Sequence, residues 1–147
     1  MPAIGVTGGI STGKSTFTNC LRQLFPEATF FDADVMAREL ARQDKNVLAE
    51  IRKTFGSGVF TESGELNRDA LRGIIFGASE RRRQLEQILH PLIRRRWSLE
   101  AEKHRQSNQY FFADIPLLYE TGGERLCDCV VVVACSEEIQ MRRLIQR

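Results

Sequence analysis

Eight consecutive residues near the N-terminus combine glycines, a lysine and a hydroxyl group at fixed spacing. They read Gly8-Gly9-Ile10-Ser11-Thr12-Gly13-Lys14-Ser15 and fit the pattern G-x-x-x-x-G-K-[ST]. Glycines allow a tight turn whose successive backbone N–H groups surround phosphate oxygens. A lysine at this spacing places a positive charge against the β- and γ-phosphates, and the hydroxyl after it is a ligand for Mg²⁺. The pattern therefore predicts a site for a nucleoside triphosphate and magnesium.

We predict that this segment binds ATP together with Mg²⁺. Lys14 has a predicted catalytic role, because phosphoryl transfer needs cations that offset the charge of the phosphates. Ser15 is the predicted metal ligand. The predicted nucleotide-binding residues of the segment are Gly8, Gly9, Ser11, Thr12, Gly13, Lys14, Ser15 and Thr16.

Such a segment requires a strand before it and a helix after it. Residues 4–7 are apolar and β-prone, and apolar residues recur at helical spacing from Phe17 to Leu24. Further short apolar runs at 29–31, 109–114 and 129–134 alternate with helical segments. This alternation predicts a parallel sheet covered by helices on both faces. The predicted fold class is α/β, a P-loop three-layer α/β/α domain over residues 1–147.

Three aspartates follow predicted strands, where ligands bind in open α/β sheets. Asp32 and Asp34 end the second strand, and Asp114 ends the third. Asp32 and Asp34 would point to opposite sides of a continued strand, so only one of them is expected to face the phosphate. We predict that at least one of the pair is catalytic; the alternative is a turn or capping residue. For Asp114 two roles remain open, a metal-binding role of the Walker B kind and a structural hydrogen-bonding role.

The block at residues 43–106 contains no convincing strand, and it predicts a helical insertion that forms a lid or an acceptor-binding subdomain. Pro91 is expected to kink or divide the last helical segment at His90, which is either a packing group or a substrate contact. Between Glu80 and Arg105 there are eight Lys or Arg residues and four Glu. This excess is either a solvated helix face or a surface for an anionic ligand.

Composition limits the class of protein. The net charge of +2 is too small to indicate a nucleic-acid or membrane partner. No apolar run approaches the ~20 residues of a membrane span, and no signal sequence is expected before the first strand. The four cysteines lack zinc-site spacing, and Cys129 and Cys135 are expected to pack as small hydrophobic residues. We predict a cytoplasmic protein with reduced thiols.

Several longer motifs resemble one family, the dephospho-coenzyme A kinases, which belong to the same group of P-loop kinases as the nucleoside monophosphate kinases. The D-A-D, L-H-P and P-L-L-x-E segments in this order are more specific than the phosphate-binding segment. The segments that carry the resemblance are Val6-Thr7-Gly8-Gly9-Ile10, Phe31-Asp32-Ala33-Asp34, Gly64-Glu65-Leu66-Asn67-Arg68, Leu89-His90-Pro91-Leu92-Ile93, Ile115-Pro116-Leu117-Leu118-Tyr119-Glu120 and Gln140-Met141-Arg142-Arg143-Leu144.

The resemblance implies transfer of the ATP γ-phosphate to the ribose 3′-hydroxyl of dephospho-CoA, the last step of coenzyme A biosynthesis. It selects Asp34 as the base or orienting group, with Asp32 beside it, and assigns Arg143 to ATP. It also makes the helical insertion the CoA-side subdomain. The family usually has Gly at the position of Ser11 and continues beyond residue 147, so the C-terminal part of the family fold is expected to be absent. We expect a monomer or weak homo-oligomer, with no nucleic-acid or membrane partner.

Two other hypotheses about the function are compatible with the motifs. The first is another small-molecule P-loop kinase that acts on a nucleoside monophosphate or a similar acceptor. The second is a non-catalytic, truncated nucleotide-binding module, which would bind Mg-ATP without acceptor-dependent release of ADP. Competition between acceptors distinguishes the first hypothesis from a dephospho-CoA kinase, and an assay for acceptor-dependent ADP release distinguishes the second.

Overall fold

The computed structural model describes residues 2–105 and 107–146. The strands are β1 (Ala3–Thr7), β2 (Thr29–Asp32), β3 (Phe111–Asp114) and β4 (Cys129–Val132). The α-helices are α1 (Lys14–Leu24), α2 (Ala33–Gln43), α3 (Lys45–Phe55), α4 (Arg68–Ile75), α5 (Ser79–Arg105) and α6 (Glu137–Ile145). Short 3₁₀ turns lie at Ser57–Val59 and Gly123–Leu126.

The four strands form one parallel sheet in the order β2-β3-β1-β4. Every residue of β3 is buried, as is expected of a central strand in a sheet covered on both faces. The predicted α/β fold with a parallel sheet and flanking helices is confirmed. Because parallel strands end at the same edge, the sheet places Asp32 directly opposite Asp114, beside the end of β1.

The chain forms two compact units. One combines the chain up to Ala33 with the chain from Arg96 onward and contains the sheet, and the other is Asp34–Arg95. The second unit has its own apolar core, built from Leu40, Val47, Ile51, Val59, Leu71 and Leu89. It begins before the predicted insertion at 43–106, because apolar residues of α2 pack into this core. Position 106 lies outside the described residues. The role of this unit as a CoA-side insertion stays a prediction.

Of the two effects predicted for Pro91, the division of the helical segment is wrong, and the kink stays a prediction. Helix α5 is continuous from Ser79 to Arg105 with Pro91 inside it. The proline ring is exposed, and its missing N–H removes one helical hydrogen bond, at a cost of about 3 kcal/mol. Apolar residues on both sides of Pro91, from Leu85 to Ile93, pack against the core of the second unit. Their burial keeps the two halves of the helix together.

The expectation that Cys129 packs as a hydrophobic residue is also wrong. Cys129 is exposed because β4 is the outer strand of the sheet, whereas Cys135 is half-buried. The four cysteines all lie within the described residues and are free thiols. Burial, with smaller contributions from Cys129 and Asp128, raises the pKa of the Cys127 thiol to about 11. Cys127 therefore stays protonated at neutral pH.

The described residues contain no helix that is both long enough and apolar enough to cross a membrane. The longest, α5, spans 27 residues and is rich in charge along its length.

Candidate functional site

The predicted phosphate-binding segment connects β1 to α1 at the carboxyl edge of the sheet. Strand β1 ends at Thr7, and α1 begins at Lys14. Gly13 begins the helix in the left-handed conformation, with φ 101° and ψ 12°, where a side chain would be strained. Since glycine offers no capping side chain, the first N–H groups of this eleven-residue helix remain available to an anion.

The loop lies very close to the segment that follows β4. A side chain at Gly8 would collide with the carbonyl oxygen of Val133. Val133 in turn donates its backbone N–H to the Thr7 carbonyl at 2.8 Å. The residue that follows β4 therefore packs directly against the start of the loop. Only glycine fits at position 8, because any side chain there would overlap the Val133 carbonyl.

Lys14 pairs with a buried carboxylate. Its Nζ contacts Oδ1 of Asp114, and the Thr18 hydroxyl donates to Oδ2 of the same residue at 3.0 Å. Asp114 is only 7% exposed, so its charge depends on these partners for stabilisation. These contacts show the hydrogen-bonding role considered for Asp114 and hold Lys14 at the edge of the sheet, whereas the metal-binding role of Asp114 stays a prediction.

The other predicted catalytic residues lie at the end of β2. Asp32 is the last residue of β2 and belongs to the unit that contains the sheet. Asp34 lies in the first turn of α2 and is the first residue of the second unit. Because the helix begins at Ala33, the alternation expected of a continued strand does not apply to this pair. The backbone carbonyl of Asp34 accepts a hydrogen bond from Arg38 Nε at 3.1 Å.

The remaining predicted loop and helix residues lie on one short segment. Thr12 donates its hydroxyl to the Gly9 carbonyl at 2.9 Å and so closes the turn. Ser15 and Thr16 are exposed in the first turn of α1, immediately after Lys14. Their hydroxyl groups are therefore accessible at the N-terminal end of α1, the end of a helix at which negative charge is favoured.

Helix α6 contacts the loop through two side chains. Arg143 Nη1 donates to the Ser11 carbonyl at 3.2 Å, and Gln140 Nε2 donates to the Ile10 carbonyl at 2.5 Å. Sequence reasoning selected Arg143 but missed both Gln140 and Thr18. Gln140 and Arg143 are three residues apart on one helix, and Thr18 follows Lys14 by four, so helical spacing was the available signal in both cases.

Ser11 adopts a backbone conformation that favours glycine. Its φ is 57°, and among the described residues it is the one non-glycine residue with positive φ. This conformation costs roughly 1–2 kcal/mol for a residue with a Cβ atom. Glycine avoids that strain, but it loses about 0.5–1 kcal/mol through the greater freedom of the unfolded chain. The strain is the larger of the two effects.

We therefore expect Ser11→Gly to raise the free energy of unfolding by about 0.5–1 kcal/mol and the melting temperature by roughly 2–4 °C. Calorimetry or chemical denaturation measures the change. Ser11→Ala is the matched control, because it removes the hydroxyl and keeps the Cβ atom. If Ser11→Ala stabilised the protein as much as Ser11→Gly, the backbone explanation would be wrong and the hydroxyl would be responsible.

The family model for dephospho-CoA kinase matches residues 2–147. The chain belongs to the dephospho-CoA kinase family. Among curated relatives, the dephospho-CoA kinase of Bacillus licheniformis is 41% identical over 145 residues, which cover 98% of this chain and 71% of that protein. The dephospho-CoA kinase of Anaeromyxobacter dehalogenans is 44% identical over 148 residues, covering 100% of this chain and 69% of that protein.

Two solved structures share the fold of this chain. A crystal structure of a Thermus thermophilus protein superposes with a TM-score of 0.73 at 35% sequence identity, covering 99% of this chain and 72% of that one. Dephospho-CoA kinase from Campylobacter jejuni superposes with a TM-score of 0.63 at 20% identity, covering 98% of this chain and 94% of that one. At this lower identity the second comparison supports the fold alone.

Proposed function

We propose that this protein transfers the γ-phosphate of ATP to the ribose 3′-hydroxyl of dephospho-CoA, giving CoA and ADP in the last step of coenzyme A biosynthesis. The observation that carries the proposal is the match to dephospho-CoA kinase over residues 2–147. The matched region includes the predicted phosphate-binding loop from Gly8 to Ser15. That loop leads from a buried parallel strand into a helix whose first residue is Lys14.

The nucleotide side of the site consists of the loop and the start of α1. Backbone N–H groups from Gly8 to Gly13 and from the first turn of α1 bind the phosphates, and Lys14 places its charge against the β- and γ-phosphates. Arg143 contributes a second cation from α6. The described contacts support this arrangement, because Lys14 pairs with Asp114 at the edge of the sheet and Arg143 donates to the Ser11 carbonyl of the loop.

The residues present also fit Mg²⁺. Ser15 offers an exposed hydroxyl at the start of α1, and Asp32 and Asp114 lie opposite each other at the neighbouring strand ends. Oxygen ligands of this kind, together with substrate phosphates, are those that Mg²⁺ prefers. When bound, the ion would neutralise charge on the β- and γ-phosphates. Ser15 is the proposed direct ligand.

Asp34 is the proposed base on the acceptor side. It accepts the proton of the 3′-hydroxyl as that oxygen attacks the γ-phosphorus, and the bond to the β–γ bridging oxygen breaks to release ADP. Asp32 is the proposed second carboxylate. The Asp34–Arg95 unit carries the exposed run Arg81-Arg82-Arg83, and guanidinium groups bind phosphate through paired donors. This run supports an acceptor that itself carries phosphate groups.

We further propose a cytoplasmic location and a monomeric or weakly associating state. Four free thiols within 147 residues support a reducing compartment, where disulfides are rare. Sedimentation of the purified protein over a range of concentrations measures its association state.

Isothermal titration calorimetry with dephospho-CoA tests the acceptor assignment, with AMP as the competing acceptor and Mg-ADP as the probe of the loop. We expect binding of dephospho-CoA and Mg-ADP and at least tenfold weaker binding of AMP. A coupled assay then measures release of ADP that depends on dephospho-CoA. Preference for AMP would favour a nucleoside monophosphate-type kinase. Binding of both ligands without ADP release would favour the non-catalytic module.

A further inference from the structure

Helix α6 holds two consecutive carbonyl groups of the phosphate-binding loop. Gln140 Nε2 donates to the carbonyl of Ile10 at 2.5 Å, and Arg143 Nη1 donates to the carbonyl of Ser11 at 3.2 Å. None of the nine described residues of α6 is buried. The helix therefore gains little from apolar packing, and these two hydrogen bonds are specific links between it and the loop.

The chemistry of the Gln140 amide determines what it can do at this position. A carbonyl oxygen only accepts hydrogen bonds, so the NH₂ group of Gln140 must face Ile10. A loop that surrounds phosphate with its N–H groups turns the opposite ends of those peptide units away from the phosphate. A donor on the outer side of the loop, bound to the Ile10 carbonyl, therefore fixes the orientation that the phosphate requires.

Gln140 and Arg143 differ in how they respond to a nucleotide. The guanidinium of Arg143 is a cation, and it can turn its donors toward phosphate oxygens when a nucleotide is present. The amide of Gln140 is neutral and is much less attracted to phosphate than a guanidinium. Its N–H donor can therefore stay on the Ile10 carbonyl whether or not Arg143 changes partner.

We propose that Gln140 is a positioning residue, which keeps the phosphate-binding loop in its nucleotide-binding shape through the Ile10 carbonyl. The inference rests on the proposed function for its kinetic consequence, because it concerns the ATP side of that reaction. It does not require Gln140 to contact ATP, the acceptor or the reacting atoms. It assigns the loop's shape partly to a side chain 130 positions away in the sequence.

The test compares Gln140→Ala, which removes the donor, with Gln140→Glu, which keeps the shape and places a carboxylate against the carbonyl. Loss of one hydrogen bond predicts about twofold to tenfold weaker binding of Mg-ADP by Gln140→Ala. Gln140→Glu should lose at least as much, since its carboxylate repels both the carbonyl and the phosphates. Arg142→Gln is the control, because it makes the same change of charge at an exposed position on the same helix. It should stay within twofold of wild type.

A change in KM for ATP without a change in KM for dephospho-CoA distinguishes a positioning role from a general structural effect. We expect KM for ATP to rise in parallel with the Mg-ADP dissociation constant, while KM for dephospho-CoA stays within about twofold. Wild-type affinity for Mg-ADP in Gln140→Glu would overturn the proposal. Equal losses for both substrates, together with a lowered melting temperature, would also overturn it. The Mg-ADP titration judges Gln140 even if dephospho-CoA proves to be the wrong acceptor, so the two failures are distinguishable.

Discussion

Replacing Lys14 with alanine is expected to abolish measurable turnover, with a decrease in kcat of at least about a thousandfold. The ammonium group offsets charge that develops on the transferred phosphoryl group, and loss of a single such donor typically lowers kcat by about 10²–10³. Loss of Lys14 also leaves the buried carboxylate of Asp114 without its cation. The effect is therefore expected at or beyond the upper end of that range.

A second variant separates lost chemistry from lost stability. Removing one partner of a buried ion pair can destabilise a protein by about 3–5 kcal/mol, so Lys14→Ala alone could lose activity by unfolding. Lys14→Ala combined with Asp114→Asn removes the unpaired charge. The amide oxygen of the asparagine can still accept the hydrogen bond that the Thr18 hydroxyl donates. We expect thermal unfolding to show recovered stability in the double variant while turnover stays absent. Asp114→Asn alone keeps Lys14 and measures how much activity the change at Asp114 itself removes. Recovered turnover would show that Lys14 acts through stability alone.

Asp34→Asn is expected to lower kcat by about 10²–10⁴ and to change the affinities for Mg-ADP and dephospho-CoA by no more than a few fold. Asparagine keeps the size of the side chain but cannot accept the proton of the attacking hydroxyl, and general-base catalysis typically contributes this factor. Steady-state kinetics combined with calorimetric titration measures both parts of the prediction. Near-normal rates in Asp34→Asn would show that the base is a different residue.

Two further asparagine substitutions make the Asp34 result specific. Asp32→Asn tests the neighbouring carboxylate at the end of β2, and a larger effect there than at Asp34 would exchange their proposed roles. Asp44→Asn applies the same chemical change at a helix N-cap, where the carboxylate accepts from the backbone N–H groups of Asn46 and Val47. Asparagine caps helices about as well as aspartate, so this variant should behave as wild type.

The parts of the fold that could be predicted were those with a local signal. The glycine-rich loop between β1 and α1 was evident from residue types within fifteen positions, and the parallel sheet followed from short apolar runs that alternate with helices. The continuity of α5 through Pro91 could not be predicted in this way. It depends on apolar residues on both sides of the proline finding the same core, which is a tertiary effect.

The order of the strands and the contacts across the site had no local signal. The exposure of Cys129 follows from the outer position of β4 in the sheet. The sequence pattern of a four-residue apolar strand does not indicate whether that strand lies at the edge or in the middle of a sheet. Thr18 meets Asp114 across 96 positions, and Gln140 meets Ile10 across 130. Helical spacing can place Thr18 beside Lys14, but it cannot indicate which distant carboxylate both will reach.

The register of β1 has a consequence for the way the protein is made. Ala3 pairs with Phe111 on one side, and Ile4 pairs with Cys129 on the other, so β1 finds both of its neighbours only in segments far along the sequence. Pairings between distant segments form slowly because the intervening chain must be ordered first. The Asp34–Arg95 unit has a local core and can acquire structure while the ribosome is still extending the chain. The loop that follows β1 precedes this unit in the sequence, yet it can take its final shape only once β3 and β4 are available to pair with β1.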